Sequence, residues 1–193
     1  MPNYADINGR PMKKLQIQQY LRKLQLNDFE PAVNLATLTK LQDAHLKYIP
    51  YENFDCLNGK ITSLKRHDMF NKVIMHNRGG ICFELNGLYN WLLESLGFDV
   101  TSYSARFIDK METYQLRRHR VMCVALGEKR YLTDVGVNSE SPRVPLEIVE
   151  GLIQSDGISQ YKFTRSEFWG WLLWQKERGK IWKRLFGFTE AVS

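Results

Sequence analysis

The sequence predicts an α+β protein in which an N-terminal helical region, residues 1–97, packs on a β-barrel-like antiparallel region, residues 98–193. Up to Gly97 the apolar residues recur at three- and four-residue intervals and the runs end at Pro or Gly, which is the punctuation of helices. From Phe98 the period falls to two and glycines mark the turns, as in antiparallel strands. With 193 residues, 44% of them hydrophobic, and ten Phe, nine Tyr and five Trp, the chain has ample material for a buried core.

In Leu15 to Leu26, Leu15, Ile17, Tyr20, Leu21 and Leu24 share one helical face. A second helix is predicted over Leu35 to Tyr48, with Leu38, Leu41, His45 and Leu46 inward and Ile49-Pro50 as its stop. Tyr51 to Ser63 reads as a loop turning at Asn58-Gly59, followed by a helix over Asp68 to Met75. After Arg78-Gly79-Gly80, Leu85, Leu88, Tyr89, Leu92, Leu93 and Leu96 mark a buried amphipathic helix that stops at Gly97. Strands are predicted at Val100 to Phe107, Val121 to Leu126 and Arg130 to Val137, the last two joined by a tight Gly127-Glu128 turn. Tyr161 to Phe163, Phe168 to Trp174 and Trp182 to Phe188 complete the curled sheet.

Cys56, Cys82 and Cys123 are too few for a disulfide framework, and no Cys/His spacing fits zinc, so free thiols and no metal are expected. The net charge of +6 suits an anionic partner, whether nucleic acid, a membrane surface or a phosphorylated cofactor, and its sign does not choose among them. Its basic clusters, Arg117 to Arg120 and Lys176 to Arg184, are short and lack any nucleic-acid-binding signature. No apolar run is long enough to span a membrane, and Met1 to Lys14 lacks a signal-like run, so a cytoplasmic protein without nucleic-acid or membrane partners is expected.

Cys82 falls in the first turn of its predicted helix, just past a Gly-Gly pair. Free amides and the helix dipole at such a position favour a thiolate, and the same amides can hold an oxyanion. Of the four histidines, His45, His67, His76 and His119, hairpin geometry singles out the last as its base. With a two-residue Gly127-Glu128 turn, Leu126 faces Lys129, Val121 faces Asp134, and His119 lies diagonally beside Asp134 on one face. A four-residue loop places the two directly opposite, whereas a three-residue loop puts them on opposite faces. A carboxylate beside the imidazole fixes its tautomer, completing a Cys-His-Asp set. A nucleophile on a helix with His and Asp on strands is a cysteine-protease-like arrangement.

Arg78-Gly79-Gly80-Ile81-Cys82-Phe83-Glu84-Leu85-Asn86 resembles the Arg-Gly-Gly-x-Cys-x-Glu-Leu-Asn signature of arylamine N-acetyltransferases. His45 to Asp55, with Ile49-Pro50-Tyr51-Glu52-Asn53-Phe54-Asp55, resembles that family's Ile-Pro-Phe-Glu-Asn-Leu-Asp block, and Tyr131 to Gly136 its Tyr-Leu-Val-Asp-Val-Gly strand. The resemblance runs from about Tyr20 to Phe188. It implies that Cys82, His119 and Asp134 are catalytic and that Glu52 and Arg78 form a supporting ion pair, buried and fixing the Cys82 loop. It further implies ping-pong chemistry in which Cys82 takes an acetyl group from acetyl-CoA as a thioester and passes it to an arylamine or arylhydrazine, the chemistry of xenobiotic metabolism. CoA-binding residues are not assigned.

Two departures stand out. The family continues Phe-Gly after its Asp-Val-Gly, where this chain has Val137-Asn138, so backbone freedom or an aromatic cleft wall is lost there. The family also continues past the segment resembling Trp182 to Phe188 into a third, lid-like domain for which this chain has no counterpart, so impaired transfer is expected. An inactive homologue with a binding role, and a thiol hydrolase of amidase or transglutaminase type, remain the alternative readings.

The remaining residues have plainer readings. Cys123 alternates within an apolar strand and reads as core; Cys56 is a loop bystander. His45 reads as a hydrogen-bonded structural histidine, and His67 and His76 as solvated or capping residues. Glu84 is placed to interact with the helix dipole. The aromatic run Phe168 to Trp174 reads as core, sticky where it is exposed.

Overall fold

A computed structural model describes residues 10–108, 116–137 and 140–189. Five helices come first: α1 (Lys14–Lys23), α2 (Leu35–Tyr48), α3 (Phe54–Leu57), α4 (Arg66–Phe70) and α5 (Cys82–Ser95). Helix α4 runs directly into a π-helical turn at Asn71–Met75. The strands are β1 (Asp99–Phe107), β2 (His119–Leu126), β3 (Lys129–Thr133), β4 (Leu146–Glu147), β5 (Gln154–Ser155), β6 (Ser159–Ser166), β7 (Gly170–Glu177) and β8 (Lys183–Phe188).

All strand pairs are antiparallel in one eight-stranded sheet ordered β4-β3-β2-β1-β8-β7-β6-β5. The sheet nearly closes on itself. Where β4 and β5 approach, the Gln154 amide stands in for a strand: Oε1 accepts from Glu147 N at 2.7 Å and Nε2 donates to Glu147 O at 2.8 Å. Such bonds satisfy edge groups that would otherwise be left open.

Period-two alternation gives the sheet two apolar faces. Val121 and Cys123 point into the curled sheet with Tyr161, Phe163, Leu173 and Phe186. Met122, Val124 and Tyr131 point the other way, onto Leu38, Leu41, Leu85, Leu88 and Leu92 of α2 and α5. Helix α5 is therefore buried along most of its length, because it lies between the other helices and the sheet.

Helix α2 matches its predicted bounds, begins where Asn34 Oδ1 accepts from Thr37 N at 2.8 Å, and ends before Pro50. The loop read over Tyr51 to Ser63 contains the short helix α3. The third strand stops at Thr133 rather than Val137, which leaves Asp134 just past the sheet hydrogen bonds. The brief strands β4 and β5 carry too few residues for an alternation to register. Among the described residues no helix is long and apolar enough to cross a membrane.

His45 departs from expectation. It is fully buried between the rings of Tyr20 and Tyr89, at centroid distances of 6.0 and 5.4 Å, and neither ring nitrogen has a hydrogen-bond partner. Its helical position was legible, but its neighbours come from α1 and α5 and present ring faces. Burial pulls its pKa down to about 3. An unfolded imidazole binds a proton near 6.5, so stability is at its full value above that pH and falls as pH drops toward 3, by at most about 1.4 kcal/mol per unit. His45→Phe is expected to flatten this acid limb, measured by urea unfolding at about pH 7 and about pH 4.5.

Candidate active site

Cys82 is the first residue of α5. It is 8% exposed, yet it belongs to neither apolar cluster; its thiol donates to the Arg118 carbonyl at 3.5 Å. The helix places Cys82 by docking its flank onto β1 and β2, so that its N-terminus meets the first residue of β2, His119. Amides in the first turn have no intrahelical acceptor and remain available to an oxyanion.

The β2–β3 hairpin has the two-residue register, Leu126 opposite Lys129, with Gly127 at φ 62° in the first turn position. Past the Met122–Thr133 end of that ladder, three residues from Met122 on one strand and one from Thr133 on the other, His119 Nε2 meets Asp134 Oδ2 at 2.7 Å with both side chains fully buried. His119 Nδ1 is left without a hydrogen-bond partner. The Phe107 and Phe186 rings pack against the imidazole, at centroid distances of 5.1 and 5.2 Å, and lie 6.4 Å from each other, so they form one aromatic corner beside it. Burial lowers the proton affinity of His119, but the Asp134 charge and hydrogen bond, then the nearby Cys82 sulfur, outweigh it and push the pKa up to about 9.

Asn86, one turn along α5 from Cys82, holds the acid. Its Nδ2 donates to Asp134 Oδ1 at 2.8 Å and to Arg120 O at 2.5 Å, while its Oδ1 accepts from Val135 N at 2.9 Å. Gly136 N gives Asp134 Oδ1 a further bond at 2.8 Å. In the sequence Asn86 stands only as the last residue of the motif; its spacing of four from Cys82, one helical turn, is the signal that places it on the same face.

The loop before α5 is fixed by backbone contact and charge. Glu52 N donates to Gly80 O at 3.0 Å, and a Cβ on Gly79 would lie 2.0 Å from Pro50 O, so only glycine fits there. Glu52 Oε1 accepts from Arg78 Nε at 3.0 Å and lies 2.7 Å from Arg78 Nη2. The pair exists, but the Arg78 side chain is 40% exposed, so it is half open rather than buried. The loop carrying Arg78 runs along the surface, which the motif alone did not reveal. Arg78 also reaches Asp55, 3.3 Å away.

Of the other candidates, Cys123 is buried in the sheet interior and Cys56 is exposed, 3.6 Å from Thr62 Oγ1. His67 is exposed and paired with Asn71. Val137 packs into the sheet interior and its N–H donates to Ser141 Oγ, while Asn138 lies outside the described residues. In the aromatic run, Trp169 and Trp171 are buried and Phe168 is 68% exposed. Among the described residues no group of three His, Cys, Asp or Glu is arranged to hold a metal.

A family model described as N-acetyltransferase matches residues 34–192. The chain belongs to the arylamine N-acetyltransferase family. It is 35% identical to the arylamine N-acetyltransferase of Mycolicibacterium smegmatis over 88% of its own length and 63% of that protein. The solved Salmonella typhimurium arylamine N-acetyltransferase superposes with a TM-score of 0.87 at 26% identity, covering 94% of this chain and 65% of that one. The Mycobacterium marinum enzyme solved in complex with CoA gives 0.82 at 26% identity, covering 92% and 66%. The chain thus spans less than two thirds of each of these arylamine N-acetyltransferases.

Two expectations follow for this family member. In Asp134→Asn the largest cause raising His119 is gone and burial prevails, so the imidazole titrates well below 9, read by NMR of its ring protons. The stability that the His119–Asp134 pair contributes is complete below about pH 6.5 and lost as pH rises through 9; the difference from Asp134→Asn shrinks over that window. Separately, a Cβ at Gly136 would sit 2.8 Å from Cys82 Cα. Gly136→Ala is therefore expected to displace the Cys82 backbone and slow its alkylation at least about tenfold, by the sensitivity of such sites to misplacement of about 1 Å.

Proposed function

We propose that the chain is an acetyl-CoA-dependent N-acetyltransferase of arylamines and arylhydrazines that works through a thioester on Cys82. The observation that carries the reading is the unpartnered Nδ1 of His119, beside a thiol at a helix N-terminus, on a ring whose other nitrogen is held by Asp134. Membership of the family and the CoA complex of the M. marinum relative support acetyl-CoA as the donor substrate.

In the first half-reaction His119 Nδ1 holds the proton from the Cys82 thiol, and the sulfur attacks the acetyl carbonyl carbon. The new carbon–sulfur bond forms as the bond to the CoA sulfur breaks, and CoA leaves as a thiol with the proton from His119. First-turn amides of α5 stabilise the oxyanion. In the second, the amine nitrogen attacks the Cys82 thioester, gives its proton to His119, and expels the sulfur as thiolate. Part of what raises His119 is the Cys82 sulfur itself. Acylation removes that part, so the imidazole holds its proton less tightly just when it must act as a base. The two half-reactions share one site, which is the physical content of a ping-pong scheme. Cys82, His119 and Asp134 are the proposed catalytic residues, with Glu52 and Arg78 supporting the Cys82 loop.

The three free cysteines fit a reducing compartment, so a cytoplasmic role in xenobiotic metabolism is proposed with the activity. Incubation with acetyl-CoA followed by intact mass is expected to show one acetyl group per chain, absent in Cys82→Ala and discharged by an arylamine. Release of CoA with no retained acetyl group, in chain that still alkylates at Cys82, points instead to hydrolysis and overturns the transferase reading.

A further inference from the structure

Five charged groups surround the loop and first turn that present Cys82: Glu52 and Asp55 beside and within α3, Lys72 of the π-helical turn, Arg78, and Glu84 of α5. Glu84 is the buried one, its side chain 2% exposed. Its Oε2 accepts from Ile81 N at 3.0 Å, which caps α5 one residue before the nucleophile. Gly80 makes room for it, since a Cβ there would lie 2.9 Å from that oxygen. A bare carboxylate in this place has a cost. It sits two residues from Cys82, and its charge opposes a thiolate as surely as the helix dipole favours one.

Lys72 answers that charge. Its ammonium lies 2.8 and 3.1 Å from the two Glu84 oxygens and 2.9 Å from Asp55 Oδ2, with Glu52 3.9 Å away. The lysine reaches inward because the backbone widens into a π turn at Asn71–Met75, a feature that recurs at functional sites. After it the chain turns back sharply, Arg78 N donating to Lys72 O at 3.1 Å, so the residue carrying the ammonium is also tied to the start of the motif loop. Arg78 serves Glu52 and Asp55 and makes no ion pair with Glu84, which leaves Lys72 as the cation within ion-pair distance of that carboxylate among the described residues. Among the described residues the titratable groups near the sulfur include His119, with Asp134 behind it, Tyr51 and, beyond Tyr51, Cys56.

We infer that Lys72 is a positioning residue which neutralises the Glu84 cap, so that α5 is held by a carboxylate whose charge does not count against the Cys82 thiolate. This rests on the reading of Cys82 as nucleophile and adds to it a separate pair that sets its charge state. A purely structural ion pair loosens the site whichever partner is removed. A charge-setting pair moves the sulfur in opposite directions.

The test is the pH dependence of iodoacetamide alkylation at Cys82, read by peptide mass with Cys56 as the internal comparison. Lys72→Met is expected to raise the pH of half-maximal alkylation by about one unit, the size of one unit charge acting at an effective dielectric near 20. Glu84→Gln, which still accepts from Ile81 N, is expected to lower it. The double variant is expected to return close to the unsubstituted profile. Single variants that shift in the same direction, or a Lys72→Met profile that does not move, overturn the proposal while leaving Cys82 as nucleophile. Where Lys72→Met does not fold, Glu84→Gln decides alone: a downward shift supports the pair, any other result overturns it. Should Cys82 alkylate no faster than Cys56 in the unsubstituted protein, both the nucleophile reading and this inference fall.

Discussion

The side-chain amide of Asn86 is the joint on which the site depends. Both of its N–H groups are used, on Asp134 and on the Arg120 carbonyl, and its oxygen takes the Val135 N–H. No orientation other than this one satisfies all three partners, because a flipped amide would set its oxygen against two acceptors. The site is buried, so a lost partner has no water to replace it and costs about 1–3 kcal/mol. Three elements are thereby tied at one residue: the helix that carries the sulfur, the strand that begins with the imidazole, and the turn that bears the acid.

Around that joint the imidazole is treated asymmetrically. Phe107 and Phe186 form an aromatic corner against it, Asp134 takes one nitrogen, and the other is left without a partner, with the Cys82 sulfur nearby. Aromatic walls exclude water and so strengthen the Asp134 interaction, which is why burial and proton affinity rise together here although burial alone acts the other way. His45 is the internal contrast. Equally buried and also packed against two rings, it has no carboxylate beside it, and its affinity for a proton falls. The two histidines differ in the groups beside them, Asp134 first and the Cys82 sulfur second, and those groups set their proton affinities apart.

A second buried polar link supports the same frame from below. Gln42 of α2 donates to Pro142 O and accepts from Thr133 Oγ1, each at 2.6 Å, immediately before Asp134. The end of β3 is thus held from α2 by Gln42 and from α5 by Asn86. Asp134 lies past the last strand pair, where ladder hydrogen bonds no longer fix the backbone, and these side chains do that work instead.

Sequence alone determined the local order: where α2 and α5 run, the change to period two at Phe98, the tight turn at Gly127-Glu128, and the motif that carries Cys82. Each is a short-range pattern, set by side-chain periodicity and turn chemistry within one element or one hairpin. It did not determine what reaches a residue from elsewhere in the chain. The rings around His45, the aromatic walls of His119, the openness of Arg78 and the Lys72 ammonium over Glu84 all depend on contacts between elements separated in sequence. Those contacts were decided only when the helices packed on the sheet, because burial and neighbouring charge are properties of the assembled core rather than of any segment in it.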